Sequence, residues 1–107
     1  MTSDHDTIWI AVASVAPLDG SEHQRVGLSD GYGFVAIRAP TIEEAVKLLR
    51  LELAEGGSDL IGFEWISRLQ DYEETLNPKS ADLVSKLEEY PVQFSDFHWH
   101  HEKTRAN

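Results

Sequence analysis

The densest set of groups able to do chemistry lies near the C-terminus, in the run His98-Trp-His-His-Glu102. On an extended strand His98 and His100 project from one face about 7 Å apart. That spacing can chelate Zn2+ or Ni2+ with a third ligand such as Asp96 or the distant His23. The competing reading is an end strand whose imidazoles are merely polar and face water. A lone His-x-His favours that second reading, because catalytic zinc is held by three fixed protein ligands and no H-E-x-x-H is present. Zinc is thus the alternative, and no cofactor is the primary expectation.

Glu64 is the carboxylate with the most unusual setting, lying between Phe63 and Trp65 in an otherwise apolar run. Burial there would raise its pKa, as a general acid requires, with Asp96 or Glu102 as a second carboxylate. A cross-strand ion pair with Arg38 accounts for it more simply. The glycine-rich stretch Gly27-Leu-Ser-Asp-Gly-Tyr-Gly33 precedes a strand, whereas phosphate-cradling loops sit between a strand and a helix N-terminus. With no cysteine in the chain and no G-x-S-x-G around Ser14, Ser29 or Ser67, no nucleophile is nominated. The balance leans away from an enzyme.

These residues must be positioned by a small set of elements. Thr7–Ala16 is β-branched and aromatic up to Pro17 and predicts a first strand; Tyr32–Ala39, closed by Pro40, predicts a second. Between them lies a long polar connection. Thr41-Ile-Glu-Glu44 has the spacing of a capping box. Ile42, Ala45, Val46, Leu49 and Leu53 then recur on one helical face, and Gly56-Gly57 supplies a stop, so a helix is predicted over 42–55. A third strand follows over 59–69. Asn77-Pro78 opens a second helix, which Pro91 ends. In the last strand, 92–99, the apolar parity switches between Phe94 and Phe97 and predicts a bulge near Ser95-Asp96. The expected fold is a single α+β domain over 1–107 with frayed ends at 1–6 and 102–107. It is a two-layer sandwich of order ββαβαβ, a four-stranded sheet with both helices on one face.

Charge narrows the functions open to such a domain. Nineteen acidic against nine basic residues give a formal charge of −10. Nucleic acid and anionic membranes both require clustered Lys and Arg, and here the basic residues are scattered singly, so neither is an expected partner. No basic and apolar leader opens the sequence, and the longest apolar run is too short to cross a bilayer; a cytoplasmic protein is expected.

One pattern points to function. Ile8, Ile10 and Val12 oppose Trp9, Ala11, Ala13 and Val15; Val35 and Ile37 oppose Tyr32, Phe34 and Ala36; Ile61, Phe63 and Trp65 oppose Leu60 and Ile66. Both faces of three strands are therefore apolar, while two helices on one side hide only one of them. The expectation is a small acidic protein-interaction domain (an adaptor, an inhibitor or an immunity-type protein) that takes a basic protein partner. It is expected to self-associate as a homodimer through the sheet face, with Trp9, Phe34, Trp65, Trp99 and Glu64 at the interface. The alternative is a small ligand- or metal-binding domain, or an enzyme, using the aromatic face with His98 and His100.

Overall fold

The computed structural model of the chain describes residues 7–18, 28–95 and 97–101, apart from the side chains of 28, 29, 100 and 101. The fold is α+β, with an antiparallel sheet and two helices. The strands are β1 (Thr7–Pro17), β2 (Leu28–Ala39), β3 (Ser58–Arg68), β4 (Val92–Phe94) and β5 (His98–His101). The helices are α1 (Ile42–Glu55) and α2 (Pro78–Ser85), and single 3-10 turns lie at Leu69–Asp71 and Lys86–Glu88. The sheet therefore has five strands rather than the expected four. Its order is β3-β1-β2-β4, with β5 also paired to β2.

Local chemistry sets the helix ends. The Thr41 hydroxyl accepts from the Glu44 amide at 3.2 Å, and the Gly56 and Gly57 amides close the far end on the Leu53 and Ala54 carbonyls. The Asn77 side chain accepts from the Ser80 amide at 2.8 Å, and Pro78 sits where a missing amide costs nothing.

β1 and β2 pair antiparallel as a hairpin, Ile10 opposite Ala36, and occupy the middle of the sheet. Being central, both are buried on two sides, which is why they read as nearly continuous apolar runs. β3 pairs antiparallel with the other side of β1, Ala11 opposite Ile66. The chain must therefore travel from β2 across β1 to reach β3, and later from β3 back across the sheet to reach β4. It uses a different face for each crossing.

Both helices on one face is thus corrected: each face carries one. On the first face Ala45, Leu49 and Leu53 of α1 pack on Ala11, Ala13, Val15, Val35 and Ile37. On the second, Leu87 of the 3-10 turn packs on Ile10 and Ala36, flanked by Val84 of α2 and by Leu69, Tyr72 and Leu76. Arg38, on this same face, donates from Nε to the Leu87 carbonyl at 3.1 Å. The apolar surplus on the strands follows from the two crossings. A sheet covered on both sides needs apolar residues on both sides.

Two register shifts in β3 also depart from strict alternation. They fall between Val12 and Ala13 and between Ser14 and Val15, so Glu64 and Ile61 are the extra residues. Phe63 then faces Ala13 and the α1 core, while Trp65 faces Val12 on the opposite side. The bulge expected near Ser95 and Asp96 takes the form of a break between β4 and β5, across which the Phe94 and Phe97 rings stack 5.4 Å apart. Asp96 itself, the ends 1–6 and 102–107, and most of the polar connection, 19–27, lie outside the described residues.

Candidate functional site

The structure separates the aromatic residues that the sequence groups together. Trp9 and Trp99 lie on the α1 side, half-buried against that core. Trp9 donates from Nε1 to the Ala39 carbonyl at 3.1 Å, a structural contact within the hairpin. Trp99 meets Phe97 edge to face at 6.3 Å. Phe34 and Trp65 face the other way. Glu64 is exposed at its bulge, and Arg38 is two strands away from it, so the expected ion pair does not form. Among the described residues β3 pairs with β1 alone. A charged residue inserted in a bulge is a recurrent way to keep such an edge from pairing with another chain.

On the second face the cover from 69–88 stops partway along the strands. Beyond it the register aligns Trp65, Val12 and Phe34 in one row, and Gly62, Ser14, Tyr32 and His98 in the next. Trp65 remains 36% exposed and Tyr32 41%. Tyr32 and His98 rings lie 5.2 Å apart, tilted by 30°.

Where this strip meets the β3 edge there is a shallow cleft of about 350 Å3, lined by Trp65, Ser67, Asp71, Tyr72, Glu73 and Glu74. The Trp65 and Tyr72 rings stack 5.4 Å apart and nearly parallel, at 13°. Tyr72 is held by packing against the Leu87 cluster, and so fixes the indole from behind. Asp71 is engaged by Arg68 Nε at 2.8 Å, an exposed pair of small energetic value. Glu73 and Glu74 are exposed. The cleft thus offers aromatic surface beside a net negative rim, the combination that receives an ammonium or guanidinium group.

Of the candidate metal ligands His98, His100 and Asp96, only His98 has a described side chain. His98 stands opposite Tyr32 and His100 opposite Asp30 in the β2–β5 ladder. Asp96 and the His100 side chain are outside the described residues, and among the described residues no group of three His, Asp or Glu is placed to hold an ion. Among them also, no helix is long and apolar enough to cross a membrane.

Asp71, Tyr72, Glu73 and Glu74 are members of the cleft that the strand and helix patterns of the sequence do not single out. The available signal was a Tyr followed by two acids immediately after a strand with an outward tryptophan. No family model matches the chain, and no curated protein or solved structure does either.

Proposed function

We propose that this is an acidic protein-interaction domain that docks a basic segment of a partner protein on the open half of its second sheet face. The observation that carries the reading is the cleft at the β3 edge, where stacked Trp65 and Tyr72 stand beside Asp71, Glu73 and Glu74. A Lys or Arg side chain laid there would meet an aromatic face and carboxylates together. Such contacts contribute about 0.5–2 kcal/mol each depending on desolvation. The aromatic strip through Val12 and Phe34 continues the surface across the sheet and would take apolar residues flanking the cation. The formal charge of −10 steers a basic partner in from a distance and makes its association sensitive to salt.

A second copy of the chain suits this face less well. Two molecules of charge −10 repel, and the half of the face around Ile10 and Ala36 is already closed by Leu87.

The test is a titration with a short Lys/Arg-rich peptide. Trp65→Ala is expected to weaken binding about tenfold or more, and Glu73→Gln with Glu74→Gln several-fold with a flatter salt dependence. Glu43→Gln, at the exposed start of α1, is expected to change nothing. Equal affinity in Trp65→Ala and the parent would remove the cleft from the interface. Sedimentation of the parent as a species twice 12.1 kDa, lost in Trp65→Ala, would assign the face to a second copy instead.

A further inference from the structure

A second concavity lies on the opposite side of the molecule, where the last turn of α1 meets the break between β4 and β5. It measures about 200 Å3, and its lining includes Leu53, Phe94, Phe97 and Trp99 together with the buried Ser58 and with Glu52. That volume equals roughly seven water molecules, enough for a small organic ligand. Three aromatic rings in fixed relation form one side: Phe94 stacks on Phe97, and Phe97 meets Trp99 at 90°. Phe94 is still 36% exposed, so its ring offers surface to a ligand rather than to the core alone.

The electrostatics select the ligand's charge. Glu52 and Glu55 both sit in the last turn of α1, and no basic residue does. Carboxylates are unfavourable there, because the helix dipole places partial negative charge at this end. Such a local violation of helix preference, with no compensating basic residue in that turn, is the kind found where a chain serves a ligand rather than its own stability. The Tyr90 hydroxyl donates to Glu52 Oε1 at 2.6 Å and holds the carboxylate in place. The same negative field is felt by the phenol, whose pKa is raised above its ordinary value by the hydrogen bond to Glu52 and by the charges of Glu52 and Glu55.

We infer that this pocket binds a small aromatic or alkyl amine, its apolar body against Phe94, Phe97 and Trp99 and its ammonium group at Glu52. The site is separate from the cleft at Trp65 and shares no residue with it.

2-Phenylethylamine is a suitable probe, with phenylacetate as its anionic counterpart, followed through the amide signals of Gly56, Ser58 and Ser95 and the Trp99 indole. The amine is expected to give saturable shifts at these positions with Kd of about 1 mM, and phenylacetate to bind at least about tenfold more weakly. Glu52→Gln is expected to weaken the amine about five- to tenfold, and Glu43→Gln, outside both sites, to leave it unchanged. Equal binding of phenylacetate, an unaltered Kd in Glu52→Gln, or the absence of saturation would each overturn the assignment. Shifts confined to Trp65 and Tyr72 would overturn it too, while leaving the basic-partner reading intact.

Discussion

Leu87→Ala is expected to destabilise the protein by about 2–5 kcal/mol, as much as Leu49→Ala on the opposite face. Leu87 belongs to a short 3-10 turn late in the chain, a place where a leucine often matters little. Here it is 1% exposed and seals Ile10 and Ala36, both fully buried, on the side of the sheet away from α1. Removing its side chain leaves a cavity that the rigid strands beneath cannot fill. A domain of this size is held by roughly 5–15 kcal/mol in all, so the loss is a large share of its stability. The melting midpoint should fall by at least about 8 °C. Equilibrium urea unfolding of the two variants decides the point. A loss below about 1 kcal/mol for Leu87→Ala, beside a full loss for Leu49→Ala, would mean that only one face is core.

Gly33→Ala is expected to cost about 2–3 kcal/mol, although it adds only a methyl group to a strand. The reason is space and not backbone conformation, since Gly57 is the one glycine with positive φ among the described residues. A Cβ on Gly33 would overlap Phe97 Cδ1 and stand 2.7 Å from Cε1, so the ring must leave its seat. Phe97 links the two parts of the aromatic wall, stacked on Phe94 and edge-on to Trp99. Its displacement exposes apolar area and alters the surroundings of the indole, so Trp99 fluorescence should shift with the melting temperature. The effect should also vanish without the ring: Gly33→Ala added to Phe97→Ala should cost almost nothing further. Simple additivity of the two changes would show that the glycine is required for some other reason.

Much of the local structure was legible because local chemistry decides it. The capping residues Thr41 and Asn77 and the glycines at 56 and 57 fix where α1 and α2 begin or end without help from the rest of the chain. Long-range choices were not legible. The two-sided apolar pattern of β1 and β2 was visible, but it permits either a missing partner or a second covering element. What distinguishes them is that β3 and β4 lie at opposite edges, which forces 69–91 to cross the open face. Strict alternation also placed Phe63 and Trp65 together. The bulge at Glu64 separates them, and it arises from pairing with β1, not from any preference of the segment itself. The polar start of β2, Leu28–Gly31, reads as loop in isolation; it becomes strand because β5 returns to pair with it. The same limits apply to the site. Trp65 was identifiable as an outward aromatic, whereas its stacking partner Tyr72 follows only from how the 69–77 segment folds back over the sheet.

Chemical-shift mapping with the Lys/Arg-rich peptide shows, residue by residue, which surface meets a basic partner. The predicted result is a contiguous set of perturbed amides at 65–74 on the β3 edge, extending to Val12 and Phe34, with the α1 face silent. Perturbations spread evenly over the acidic surface, or centred on α1, would contradict it and reduce the negative charge to a matter of solubility.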